Sequence, residues 1–87
     1  MKHFASPQFW ALYEALPTDV RTLADKNYEL LKSDSRHPSL HFKKIGDLWS
    51  VHVGAHYRAL ATGVEDGICW FWIGTHAEYD RIDVETV

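Results

Sequence analysis

Cysteine occurs once in this chain, at Cys69, so no internal disulfide can help to hold its 87 residues together. Long apolar runs are missing as well: no stretch approaches the roughly 20 residues that span a bilayer, so no membrane partner is expected. The opening "MKHFASPQFW" lacks the apolar centre of a signal peptide, which makes a reducing, cytoplasmic location the expectation. Nor is there an excess of positive charge. A net charge of −3 argues against a protein that holds nucleic acid by bulk attraction, because such domains are usually basic overall. Repeats, linkers and low-complexity segments are absent, so residues 1–87 read as one domain. At this size only about 60–65% of the unfolded surface can be buried. Four tryptophans, four tyrosines and four phenylalanines supply that burial in large pieces.

The charges are unevenly spread. Residues 36–58 carry Arg36, Lys43, Lys44 and Arg58 against Asp47 alone, whereas residues 59–87 carry Arg81 against Glu65, Asp66, Glu78, Asp80, Asp83 and Glu85. Four of the six histidines (His37, His41, His52, His56) also lie in the basic middle. A local positive face on an acidic molecule is therefore available, and it strengthens as pH falls toward the histidine range near 6.5.

Ser6-Pro7 reads as a helix start, with the hydroxyl as cap and proline in the first turn, where its missing N–H costs nothing. Phe9, Leu12, Tyr13 and Leu16 follow at helical spacing until Pro17. Thr18 or Leu16 then caps a longer helix with Val20, Leu23, Ala24, Asn27 and Leu31 on one face. So short a connection predicts an antiparallel helical hairpin. After "SDSRHPS" the period changes to two. Leu40 and Phe42 alternate with His41 and Lys43, Gly46-Asp47 turns, and "LWSVHV" alternates again. Gly54-Ala55-His56 turns into "YRALATGV", and Asp66-Gly67 is the hairpin signal leading to "ICWFWIG".

The expected fold is thus α+β: an N-terminal helical hairpin packed on a four-stranded antiparallel sheet, with a short C-terminal helix. One conflict stands. A meander puts "ICWFWIG" on an edge, yet it is apolar on both faces, so residues 1–5 must pair beside it or the C-terminal segment must cover it. Within "WFW", Trp70 and Trp72 are expected on one face and Phe71 on the other, with at least two of the three in the core.

Chemistry-bearing residues gather in three places. Arg58 shares a strand face with Leu60 and Thr62, and His52 across the preceding turn can face the same side. Arg58 reads either as a solvated edge arginine or as a planar cation presented to a phosphate or carboxylate. His76 and Tyr79 lie i and i+3 on a short helix capped by Thr75 or His76, close enough to act together, though a histidine after a strand is most often inert. Gly74 supplies the exit that lifts them to the rim of the sheet, while Glu78 and Asp80 tune or cap. Lys43 and Lys44 point to opposite faces, so at most one joins a common site. The four-residue spacings His37/His41 and His52/His56 would gather metal ligands on a helix, but Pro38 and the strand pattern place them elsewhere; no metal or other cofactor is expected. Cys69, inside an apolar run, reads as a small core residue.

The pieces "HPSLHFKKI", "WSVHV", "HYRALA" and "GTHAEYD", in this order after a helical hairpin, resemble the RelE/ParE superfamily of toxin–antitoxin toxins, with "THAEYD" closest to HigB-type mRNA interferases. The resemblance implies a toxin that cleaves mRNA on the ribosome without a metal and inhibits translation, restrained by a cognate antitoxin protein. It implies that Arg58 stabilises the phosphate under attack, that His76 moves a proton and that Tyr79 stacks on a base or donates a hydrogen bond. His41, Lys43, His52 and His56 would then hold the RNA. Position 52 is often arginine in related toxins, so His52 makes this site less cationic. ParE-type members instead poison DNA gyrase without nuclease residues, and a degenerate member would survive as an antitoxin-binding module.

Overall fold

The strand that is apolar on both faces is an interior strand. In the computed structural model, which describes residues 2–82, the chain runs β1 (Lys2–Ala5), α1 (Pro7–Glu14), α2 (Thr18–Ser33), a 3-10 turn at Pro38–Leu40, β2 (Lys43–Ile45), β3 (Leu48–Val53), β4 (Tyr57–Val64), β5 (Gly67–Thr75) and α3 (His76–Asp80). The strands form one sheet in the order β1-β5-β4-β3-β2. The fold class is α+β as expected, but the sheet has five strands and is mixed: β1 pairs with β5 in parallel, and the remaining neighbours are antiparallel. Of the two ways to relieve the exposed edge, the chain uses residues 2–5.

Gly67 makes that pairing possible. A Cβ there would fall on the backbone of Lys2, its partner in register, so only glycine lets β1 approach. The hairpin turn itself falls one residue earlier than expected, at Glu65–Asp66, and Gly67 opens β5. Its conformation is ordinary; positive φ occurs only at Gly46, Gly54 and His41 among the described residues.

Ser6 caps α1 as expected, its Oγ accepting from Phe9 N at 3.2 Å, with Pro7 in the first turn. The second cap differs. Pro17 occupies the N-cap of α2 and offers no side-chain acceptor, so neither Thr18 nor Leu16 caps it. The helices are tied by a hydrogen bond from Tyr13 Oη to Asp25 Oδ1 (2.7 Å) and an Arg21–Glu14 ion pair (3.6 Å), yet they do not close into a tight hairpin. α1 lies over β5 and α2 over β3, leaving a cleft of about 280 Å³ between them. Phe9, Trp10, Tyr13, Tyr28 and Trp70 contribute its aromatic walls.

Beneath the helices, Leu31 and Leu40 pack with Val51, Val53, Ala59, Ala61, Ile68, Trp70 and Ile73. A register shift between Leu60 and Ala61 sets Leu60 opposite Trp72 and Ala61 opposite Trp70, so Phe71 is an extra residue in β5. The two tryptophans therefore face opposite sides of the sheet, and only Trp70 is buried; Phe71 and Trp72 are half-buried. The strand expected from Leu40 starts at Lys43 instead, because Leu40 closes the 3-10 turn and His41 takes a left-handed conformation, φ 46°.

Candidate functional site

The face of the sheet turned away from α1 and α2 carries Ser50 and His52 of β3 opposite Leu60 and Arg58 of β4. Leu48, Ser50, Arg58 and Leu60 are all buried there. Arg58 is 8% exposed on the central strand of five, which removes the reading of a solvated edge arginine. Its register partners are His52 on one side and Gly74 on the other. Directly opposed side chains on one face stand about 5 Å apart at Cβ, so the imidazole and the guanidinium are immediate neighbours.

Arg58 Nη1 donates to Tyr57 O at 2.8 Å, which fixes the guanidinium. Among the described residues no carboxylate lies within ion-pair distance of it, and none of its nitrogens is a buried, unpartnered donor. Among the described residues its remaining N–H groups meet no protein acceptor, and none of them is sealed from solvent. A buried cation is costly unless paired, and the planar guanidinium so held has the donor geometry that suits a phosphate or carboxylate.

His52 is half-buried, and its backbone carbonyl accepts from Asn27 Nδ2 of α2 at 3.3 Å. The left-handed turn at His41 lays that imidazole on the His52 ring, with centroids 4.2 Å apart and planes 23° from parallel. Burial lowers the His52 pKa first, then the positive charges of Arg58, His41, Lys43 and His76 lower it further, to about 4. Those four groups come from β4, the end of the 3-10 turn, β2 and α3, so four separate segments converge on one imidazole. His52 is accordingly neutral at pH 7. Lys43 stands opposite Ser50 and shares this face; Lys44, opposite Trp49, faces the other way, as strand alternation requires.

His76 begins α3. Thr75 is the cap: its Oγ1 accepts from Glu78 N, while Glu78 Oε1 accepts from Thr75 N and Oγ1, each at 2.9 Å. The backbone and then the side-chain hydrogen bond from Thr75 hold the Glu78 carboxyl below its ordinary value, so this acid is committed to the cap. His76 N donates to His56 O at 2.7 Å, which pins α3 to the β3–β4 turn. The His76 ring stacks on Tyr79 at 6.5 Å and its Nε2 lies 3.4 Å from Asp80 Oδ2. His56 itself has an exposed side chain and joins the site through its carbonyl.

Gly74 acts differently from expectation. Its φ is not left-handed, and a Cβ there would stand 2.6 Å from Trp72 Cζ2 and 3.0 Å from Glu78 Oε1. The missing side chain lets the Trp72 ring lie over Gly74, the register partner of Arg58. Trp72 is thus a half-exposed aromatic on the same face as the cations, a placement hidden in sequence because it depends on the extra residue at Phe71. Sequence reasoning also missed His3, whose Nδ1 accepts from Trp70 Nε1 at 3.2 Å on the wall of the interhelical cleft. Burial lowers its pKa. Cys69 is half-buried on the Arg58 face, opposite Thr62, not in the core beneath the helices.

Among the described residues no group of three or more histidine, cysteine, aspartate or glutamate side chains converges as metal ligands, and no helix is long and apolar enough to cross a membrane. No family model, curated protein or solved structure matches the chain.

Proposed function

We propose that this chain is the toxin of a bacterial RelE/ParE-type toxin–antitoxin pair, acting in the cytoplasm as a metal-independent endoribonuclease on mRNA in the ribosome. The observation that carries the reading is Arg58: buried on a central strand, without a carboxylate partner among the described residues, and opposed in register to His52, on which His41, Lys43 and His76 also act.

Cleavage of RNA by its own 2′-hydroxyl needs three things. The hydroxyl must lose a proton as its oxygen attacks the adjacent phosphorus, the 5′-oxygen must gain one as its bond to phosphorus breaks, and the phosphorane must be stabilised between these events. The products are a 2′,3′-cyclic phosphate and a 5′-hydroxyl, and no electron leaves or enters. Arg58 supplies rigid N–H donors where charge gathers on the phosphate. His76, exposed at the rim and oriented by Asp80, moves a proton, and Tyr79 beside it positions ring or nucleotide. Lys43 and His41 hold flanking phosphates. The net charge of −3 fits a protein that engages RNA through this local face instead of its overall field. The expected partners are the ribosome with its mRNA and a cognate antitoxin that covers or disorganises the site.

Induced expression of wild type, Arg58→Ala and His76→Ala, followed by mapping of mRNA 5′ ends, tests the proposal. Wild type should arrest growth and create new 5′-hydroxyl ends within coding regions, and both variants should lose the ends and the arrest. Arrest with intact mRNA in all three would sink the nuclease reading. DNA-damage signalling in its place would point to gyrase, and no arrest at all to a module that only binds its antitoxin.

A further inference from the structure

His52 and Arg58 are opposed in register on one face, and the His41 ring stacks on the His52 ring. Lys43 and His76 complete the surroundings, and Asn27 of α2 holds the His52 carbonyl from beneath. Every charged group that acts on the His52 ring among the described residues is a cation. Asp80, a carboxylate at the rim, is engaged with His76. With the site empty, burial and the neighbouring positive charges keep this imidazole unprotonated above about pH 4. An anion between His52 and Arg58 reverses the sign of the local field.

We propose that a tetrahedral oxyanion of the phosphate class binds between His52 and Arg58 and draws a proton onto His52, so that the second cation of the pair exists only while the anion is bound. The inference rests on reading this pair as a phosphate site, and it assigns His52 a role that an arginine could not fill. A permanent second cation would repel Arg58 in the unliganded protein. A histidine spares the empty fold that repulsion and still gives the bound anion two charge-assisted partners. The low pKa of His52 is the empty-site half of this cycle. On the proposed reaction the same proton balance leaves His52 cationic while the phosphorane forms, beside Arg58 and apart from the proton carried by His76.

Sulfate is the suitable probe, because it stays doubly ionised across the working pH range, whereas phosphate monoesters themselves titrate near pH 6. Titration calorimetry of wild type with sulfate, run in buffers of differing ionisation enthalpy between pH 5 and 7, should show proton uptake that is largest at the acid end, about 0.4 proton per anion at pH 5 for a one-unit rise of the His52 pKa, and that falls away toward pH 7. Affinity should weaken as pH rises, by up to tenfold per unit. NMR of the histidine rings should show the His52 titration moving upward from about 4 by at least one unit at saturating sulfate. His52→Gln should still bind sulfate but without the uptake or the pH slope, and Arg58→Gln should lose most of the binding. Absence of sulfate binding, binding without proton uptake, or equal uptake in His52→Gln would each overturn the proposal. Because sulfate binding needs no RNA, proton-coupled binding in a protein that leaves mRNA intact would keep this inference and discard the nuclease. Cleavage without the coupling would do the reverse.

Discussion

Arg58→Met should make the protein more stable and inactive. The arginine is 8% exposed and has no carboxylate partner among the described residues, so its burial is compensated by one hydrogen bond to Tyr57 O and by contact with solvent at the remaining nitrogens. A charged hydrogen bond of this kind contributes about 1.5–3 kcal/mol. Desolvating an ion costs several kcal/mol, and even a paired buried charge can be exchanged for apolar side chains of similar volume with an outcome between neutral and a gain of about 1–4 kcal/mol. Methionine keeps the packing of the arginine stem, so no cavity offsets the gain. A net stabilisation on the order of 1–3 kcal/mol is expected, and at about 4–8 °C per kcal/mol for a domain of this size it should raise Tm by roughly 4–24 °C. Thermal and urea unfolding followed by circular dichroism measure this. Sulfate should raise the Tm of wild type and leave that of Arg58→Met unmoved. A fall of more than about 1 kcal/mol on substitution, well within what losing a structural buried cation would cost, would refute the reasoning. Arg58 would then be holding the fold together, not waiting for a ligand.

The depressed pKa of His52 makes a signed prediction. Its ordinary value is 6.5 and its folded value about 4, so between these pH values the unfolded chain binds more protons, and stability rises with pH. Acidification from about 6.5 toward 4 should therefore destabilise wild type, and His52→Gln should flatten that window while leaving stability near pH 8 almost unchanged; His3, also depressed, supplies a residual slope of the same sign. Two glycines of one hairpin should respond oppositely to alanine. Gly63 has open space where a Cβ would stand, so Gly63→Ala should gain about 0.5–1 kcal/mol, whereas Gly67→Ala drives a methyl into the Lys2 backbone and should cost about 1–3 kcal/mol by urea unfolding, with faster amide exchange in β1. Equal responses would mean that β1 is not held where the register places it. Thr75→Ala removes the acceptor for Glu78 N and the donor to its carboxylate, and should cost about 1 kcal/mol by the same measurement.

Local patterns announced local structure well. Ser6-Pro7 specified its cap within four residues, Gly46 and Gly54 marked turns, and Thr75 was one of two candidate caps for the C-terminal helix, because each outcome depends on neighbours in sequence. The fifth strand was legible only as a contradiction. "ICWFWIG" was too apolar for an edge, which required a cover without saying in which direction it ran. The separation of α1 from α2 and the cleft between them were not legible, since a short connection fixes that two helices are close, not which strands they sit on.

The site divides along the same line. That His52 and Arg58 share a face follows from alternation across one tight turn, and His76 with Tyr79 follows from helical spacing; both could be read from spacing alone. The stacking of His41 on His52 could not, because it depends on a left-handed residue after a 3-10 turn, where the sequence pattern suggested a continuing strand. Nor could the state of His52, which is set by charges from segments that meet only in the folded sheet. Read one residue at a time, histidine in place of arginine at position 52 is a loss of charge. In the assembled face it is a charge withheld until an anion arrives, and that difference lies in the arrangement of Arg58, His41, Lys43 and His76 around it.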